Sequence, residues 1–295
     1  MKIGKVEKYI KDKIDADGAL LLALIDPDKQ PFEKGAKVAK AAYEGGADII
    51  LVGGSVGAQG MILDKTTKLI RDVVDVPIVL FPGSVGGITH YADAIYFMYL
   101  LNSRDVYWLS TVQIQGATVA KRLGLEPIPT AYIIIEPGRT VGWISNANLV
   151  PRDKPDLAAA TALAGEYVGA HLVVTDCGSG APQPAPLKMI SAIKSQLSVP
   201  YFYAGGCRTP QQAADIIKAG ADGIQIGTAF ELNNSAKMEE KITAIAKAIK
   251  LSGRDKMNSQ PREKAKFQLH IPSFRFFKIR KKWDRIAERI KKEKK

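Results

Sequence analysis

The chain has 295 residues, 46% hydrophobic and 24% charged, which supplies a real core and excludes a disordered or collagen-like class. Its formal net charge is +12, but residues 254–295 hold 16 Lys or Arg against 5 Asp or Glu, net +11, so the basicity belongs to a tail. A body that is nearly neutral argues against nucleic acid as a partner, and no apolar run reaches the ~20 residues of a membrane span.

Met1-Lys2-Ile3-Gly4 leads into a charged segment rather than a secretory apolar region, so a cytoplasmic location is expected. Residues 4–15 carry apolar side chains at Val6, Tyr9, Ile10 and Ile14, the spacing of an amphipathic helix. Leu20 to Ile25 is a continuous apolar run ending in Asp26-Pro27-Asp28-Lys29, as in a strand buried on both faces that delivers polar groups at its end. A helix over 31–44 and a strand over 48–52, ending in Gly53-Gly54-Ser55, start a strand and helix alternation. A helix over 62–74 and strands over 77–81 and 94–101 follow. The connection between these two strands holds Gly83, Gly86 and Gly87 and is too short for a helix, so the third helix of a barrel is expected to be missing or replaced by an extended segment.

Further along, helices are expected over 107–122, 155–168 and 187–196, with strands over 131–135, 171–175 and 201–204. The last unit, Ala204 to Phe230, ends one strand on Gly205-Gly206, starts a helix after Thr209-Pro210 and ends another strand on Gly227-Thr228. Paired glycine-ended strands let backbone N–H groups and a helix N-terminus approach one anion, the phosphate site that barrels of eight βα units build after strands seven and eight. The pattern therefore predicts an α/β protein, a modified (β/α)8 TIM barrel over 1–252, with a basic helical tail over 253–295. An open Rossmann-type sheet is the rival, disfavoured by eight strands and by the lack of GxGxxG after the first. Gly45 to Ser55 and Ala219 to Ala229 echo each other, which suggests a half-barrel repeat.

Polar groups at the C-terminal ends of parallel strands share one mouth. That places Asp26, Asp28, Ser55, Glu136, Asp176, Ser179, Gly205, Gly206, Gly227 and Thr228 in one candidate site. A carboxylate and a hydroxyl with few nitrogen or sulfur ligands suit a hard ion such as Mg²⁺, bound partly through substrate phosphates. Asp26-Pro27-Asp28 and Glu136-Pro137-Gly138 also read as turns. His90 and His171 are isolated and expected to be structural. Cys177 and Cys207, the only cysteines, are expected as buried free thiols. The aromatics Tyr91, Tyr96, Phe97, Tyr99, Tyr107 and Trp108 pack by default, yet their density suits a groove for a long apolar ligand.

Leu24 to Gln30 (LIDPDKQ), Ile50 to Ser55 (ILVGGS), Ala131 to Ile144 (AYIIIEPGRTVGWI), Leu149 to Pro155 (LVPRDKP), Cys177 to Pro182 (CGSGAP), AGGCRTP and IGTA together resemble the geranylgeranylglyceryl phosphate synthase family. The resemblance runs from about residue 5 to residue 250. It implies a modified barrel that joins the 3-hydroxyl of sn-glycerol 1-phosphate to C1 of geranylgeranyl diphosphate, releasing diphosphate, and it implies a homo-oligomer. By the same resemblance, Asp26 and Ser55 would hold Mg²⁺. Val174, Thr175, Asp176, Cys177, Gly178, Ser179 and Gly180, with Gly205-Gly206 and Gly227-Thr228, would bind glycerol phosphate. The family usually has Tyr-Leu-Glu-Ala-Gly-Ser-Gly where this chain has Val174 to Gly180, so a tyrosine is lost and the carboxylate is one methylene shorter. Asp176 is the expected base, with Glu136 in reserve. The competing readings are an isomerase or lyase acting on a phosphorylated small molecule, and a non-catalytic lipid-binding paralogue.

In the tail, Phe276, Ile279, Trp283, Ile286 and Ile290 recur at helical steps among Lys278, Lys281, Lys282, Arg285, Arg289 and Lys292. A basic amphipathic helix with Trp and Phe is expected to contact the inner membrane surface peripherally.

Overall fold

In the computed structural model, which describes residues 3–230 and 235–259, eight parallel strands close into a barrel in sequence order. They are β1 (Leu20–Ile25), β2 (Ile49–Gly54), β3 (Ile78–Pro82), β4 (Ala94–Leu100), β5 (Glu126–Ile134), β6 (Leu172–Asp176), β7 (Tyr201–Ala204) and β8 (Gly223–Ile226). β8 pairs with both β7 and β1, which closes the ring and removes the open-sheet alternative. Helices α1 (Lys5–Asp17), α2 (Glu33–Glu44), α3 (Gly60–Arg71), α4 (Val112–Arg122), α5 (Arg139–Ile144), α6 (Pro155–Tyr167), α7 (Leu187–Gln196), α8 (Pro210–Lys218) and α9 (Ser235–Ser259) accompany them.

Most of the strands are apolar on both faces because they serve two cores. Leu20, Leu22, Tyr96, Tyr132, Val174 and Phe202 fill the barrel interior, while Leu21, Ala23, Ile133, Val173 and Tyr203 turn outward to the helices. That alternation explains the continuous apolar runs of the sequence. α1 has no side-chain cap of its own; the Glu126 carboxylate at the start of β5 accepts from the Val6 and Glu7 N–H groups, both at 2.8 Å. An anion at a helix N-terminus satisfies orphan donors and the helix dipole together.

Between β3 and β4 the chain makes only a 3₁₀ turn, Val85–Gly87, as the short connection requires. β5 starts at Glu126, five residues earlier than its apolar run. Pro127 and Pro129 mask it. Both precede the first β5–β6 pair, Thr130 with Leu172, so the N–H groups they lack face an edge where β6 has not begun. The echoing segments lie in β2 and β8, which flank β1. A half-barrel repeat would relate strands four apart, so that suggestion is not sustained.

α9 is held to the barrel by buried Ile242, Ile245 and Ile249 and by Lys250, whose Nζ lies 2.7 Å from both Asp48 carboxylate oxygens. Lys256 Nζ donates to the Ala221 carbonyl and to Asp222 Oδ1, each at 3.0 Å. The boundary expected after residue 252 falls inside this helix. The amphipathic pattern from Phe276 to Ile290 lies outside the described residues.

Candidate active site

The C-terminal ends of the strands open on one mouth, and three adjoining depressions occupy it. At the end of β1, Asp26 is buried and its Oδ2 accepts from Lys29 Nζ at 2.6 Å. Its backbone carbonyl accepts from the Lys29 and Gln30 N–H groups, so the segment is both a turn and a delivery point for carboxylates. Burial pushes the Asp26 carboxyl up; Lys29 opposes the shift and the Asp28 charge adds to it. β2 brings Gly54 so close that a Cβ there would lie 3.0 Å from Asp28 Oδ1 and 3.7 Å from Asp26 Oδ1. With Ser55, these carboxylates line a single cavity. All of the donors are oxygens, and no cluster of three or more His, Cys, Asp or Glu occurs among the described residues. Such a set suits a hard cation that takes its remaining ligands from water and phosphate.

On the opposite wall, β6 presents Asp176. Its Oδ2 accepts from the Tyr132 hydroxyl and its Oδ1 from the Gly178 N–H, both at 2.6 Å. Burial raises the Asp176 carboxyl above the usual carboxylate range, with the Tyr132 and Gly178 bonds opposing it. Gly205 at the end of β7 has φ +91°, and a Cβ on it would lie 2.8 Å from Asp176 Oδ1. Only glycine accommodates both that backbone and that neighbour. Beyond it, Gly180, Gly205, Gly206, Gly227 and Thr228 line a polar cradle. Ser179 Oγ and Thr228 Oγ1 hydrogen-bond across it at 2.7 Å.

A helix N-terminus is expected from the sequence at this anion site, and α8 starts beside it. There the Arg208 and Thr209 N–H groups donate to Gln212 Oε1 and the Gln212 N–H to Thr209 Oγ1, so a capping box occupies these donors. The Arg208 side chain supplies positive charge to the cradle in their place, tethered to the Pro182 carbonyl at 2.9 Å and the Gly180 carbonyl at 3.3 Å.

Other expected site residues take structural places. Val174 lies in the barrel interior, one inward layer below Asp176, and Thr175 turns outward to share a 2.7 Å hydrogen bond with the Tyr201 hydroxyl. Cys177 is a buried free thiol pushed up to about 11 by burial, so it stays protonated at neutral pH; Cys207 is likewise buried and free. Glu136 lines none of the three depressions; its Oε2 accepts from the Arg152 N–H at 3.2 Å. His171 Nδ1 pairs with Glu7 Oε2 at 2.9 Å, before the start of β6 and away from the mouth.

The third depression is the apolar groove. It runs along β4, the Val85–Gly87 turn and α4, lined by Ile88, Phe97, Met98, Trp108, Val112 and Gly116 among others. It exists because no helix covers β3 and β4 at this point. The aromatic cluster seen in the sequence thus divides: Tyr96 packs inside the barrel and hydrogen-bonds there, while Phe97 and Trp108 line the groove. Phe81 makes edge-to-face contacts with Tyr96 and Tyr132, at centroid distances of 5.5 and 5.3 Å.

The three depressions are contiguous. Leu24, Asp26, Phe81, Asp176 and Ser179 line both the polar cradle and the central cavity. Pro82, Met98, Leu100 and Trp108 line both the central cavity and the groove. A (β/α)8 barrel with a glycine-lined polar cradle, a carboxylate-lined centre and an apolar groove in series at its strand ends has the form of a TIM-barrel enzyme.

The chain is a member of the PcrB family, the geranylgeranylglyceryl phosphate synthase family of prenyltransferases, whose model matches residues 13–249. It is 48% identical over 251 residues to the geranylgeranylglyceryl phosphate synthase of Thermococcus kodakarensis, covering 85% of this chain and 99% of that one. It is 47% identical over 246 residues to that of Methanococcoides burtonii, covering 82% and 100%. Among solved structures, the (S)-3-O-geranylgeranylglyceryl phosphate synthase of Thermoplasma acidophilum, in complex with sn-glycerol-1-phosphate, matches with a TM-score of 0.80 at 34% identity, covering 85% of this chain and 100% of that one.

Proposed function

We propose that this protein joins the 3-hydroxyl of sn-glycerol 1-phosphate to C1 of geranylgeranyl diphosphate, releasing diphosphate. The observation that carries the reading is the shared lining of the three depressions: polar cradle, paired acidic walls and apolar groove form one path. The cradle of Gly205, Gly206, Gly227, Thr228 and Ser179, with Arg208, takes the glycerol phosphate. The groove takes the prenyl chain, so C1 and the acceptor hydroxyl meet at Asp26 and Asp176. Burial of both substrates there converts a bimolecular encounter into a positioned one.

Asp176 accepts the hydroxyl proton as the new C–O bond forms and the C1–diphosphate bond breaks. Its raised carboxyl brings its basicity nearer neutral pH, where a general base is more effective. Tyr132 and the Gly178 amide hold the carboxylate in place. Asp26 and Ser55, with Asp28 beside them, are the residues that would hold Mg²⁺, which when bound neutralises the departing diphosphate. Lys29 balances Asp26 before the diphosphate arrives.

Incubation with labelled sn-glycerol 1-phosphate, geranylgeranyl diphosphate and Mg²⁺, followed by solvent extraction, tests the reading. Label is expected in the organic phase with Mg²⁺ and not with a chelator. Label that stays in water under both conditions overturns it. The cytoplasmic body is read as working beside a membrane, which its basic tail contacts, and as a homo-oligomer; the support is the lipid character of the proposed donor and the Phe276 to Ile290 pattern.

A further inference from the structure

The floor of the polar cradle holds a side chain that the proposed reaction does not use. Gln225 projects inward from β8, where its register partners are Leu22 on β1 and Ala204 on β7. It is 4% exposed and it lines the cradle. One end of its amide donates to the Tyr96 hydroxyl at 3.1 Å, reaching across the barrel interior from β8 to β4. The other end, Oε1, is buried and has no hydrogen-bond partner among the described residues.

Buried polar atoms almost always find partners, and one left without costs the folded state its full desolvation. The bond to Tyr96 occupies one end of the Gln225 amide and leaves the other unexplained. Leu22 and Phe202 on the neighbouring strands are apolar and offer Oε1 nothing, and satisfying the Tyr96 hydroxyl alone does not call for a second, unpaired acceptor. The Tyr96 bond also restricts the rotation of an amide that lines the cradle.

We propose that Gln225 is a substrate-binding residue that hydrogen-bonds the hydroxyl of the polyol phosphate not consumed in the reaction. The inference rests on the proposed function and adds a contact to the same site. With the phosphate at the Gly206 and Thr228 rim and the reacting hydroxyl at Asp176, the substrate's second hydroxyl lies between them, above the floor. A hydroxyl both donates and accepts, so it can meet either end of an amide. Gln225 thereby orients the acceptor and distinguishes a vicinal diol phosphate from one lacking that hydroxyl. Sites built to hydrogen-bond a substrate hydroxyl reject analogues without it, because the buried group is then left unpaired.

The test is calorimetric titration of the full chain and its Gln225→Met variant with three probes: inorganic phosphate, sn-glycerol 1-phosphate and 3-hydroxypropyl phosphate, which lacks the C2 hydroxyl. The wild-type protein is expected to bind glycerol phosphate about tenfold more tightly than the deoxy analogue. Gln225→Met is expected to remove that difference while leaving phosphate and the deoxy analogue unchanged, which also shows that the variant is folded. Tyr96→Phe, which frees the amide, is expected to lose part of the same preference. Equal preference in wild type and Gln225→Met, or a parallel loss for all three probes while Tyr96→Phe keeps the full preference, overturns the inference. Wild-type protein that binds none of the three phosphates overturns the proposed function, and this contact with it.

Discussion

The Tyr132 hydroxyl donates to Asp176 Oδ2 at 2.6 Å, joining β5 to β6 at the wall shared by the polar cradle and the central cavity. Tyrosine is a donor here, so it favours the ionised carboxylate against the burial that raises it. Tyr132→Phe is therefore expected to drive the Asp176 carboxyl higher still. The acid limb of the rate profile moves to higher pH, and turnover at neutral pH falls about tenfold. A pH–rate profile of the variant checks this; an unmoved acid limb removes Asp176 from the proton transfer.

The same burial predicts a stability effect. The folded Asp176 carboxyl lies above its ordinary value of 3.8, so the folded state binds its proton more tightly than the unfolded chain. The stabilisation is full below the unfolded value and is lost as pH rises through the folded one. Asp176→Asn removes a group whose charged form burial disfavours. The variant is expected to be more stable by about 1 kcal/mol at neutral pH, with the gain shrinking as pH falls toward the ordinary carboxylate range. Thermal melts across that range measure it.

Gly205 combines φ +91° with a close approach to Asp176 Oδ1. Gly205→Ala is expected to cost about 1–3 kcal/mol of stability and to weaken phosphate binding, because relief of the clash moves the base or the cradle. Denaturant unfolding and phosphate titration on the same preparation separate the two effects.

Gly116 on α4 faces the groove, where an added Cβ would meet only Ile88 Cδ1 at 3.7 Å. Gly116→Ala is expected to be tolerated and to add up to about 1 kcal/mol of helix stability. Gly116→Leu fills the groove and is expected to raise KM for geranylgeranyl diphosphate about tenfold or more, with glycerol phosphate binding unchanged. Steady-state kinetics with prenyl diphosphates of two lengths provide the check.

The tail can be tested only by a cut placed beyond α9. Lys256 binds the Ala221 carbonyl and Asp222, so truncation at residue 254 would loosen the barrel itself. Removal of residues 260–295 is expected to abolish cosedimentation with anionic vesicles and to spare turnover of soluble substrates. Unchanged vesicle binding contradicts the membrane contact.

The barrel was legible because parallel strands buried on both faces leave uninterrupted apolar runs, and the gap after Phe81 was legible because a helix needs residues that are not there. Asp26, Ser55, Asp176 and the glycine corners were legible as strand ends that share one mouth. Tyr132 was not. It sits inside an apolar run that reads as core, and its partner lies 44 residues away in sequence. Gln225 was hidden in the same way in IQIG, since nothing local indicates that one end of its amide stays unsatisfied. Arg208 stood within a quoted motif, but its tether to the Gly180 and Pro182 carbonyls is a property of the folded loop. α5 escaped notice because six residues with a central glycine carry too little periodicity.

In the proposed reaction Asp176 takes a proton from a glycerol phosphate held in the cradle while a prenyl diphosphate lies in the groove. Single-turnover transfer of label from bound sn-glycerol 1-phosphate into solvent-extractable product, in wild type and Asp176→Asn, tests it most directly. Transfer by the wild type and a loss of at least about a hundredfold in the variant are expected, with glycerol phosphate affinity retained. Near-normal transfer by Asp176→Asn contradicts it.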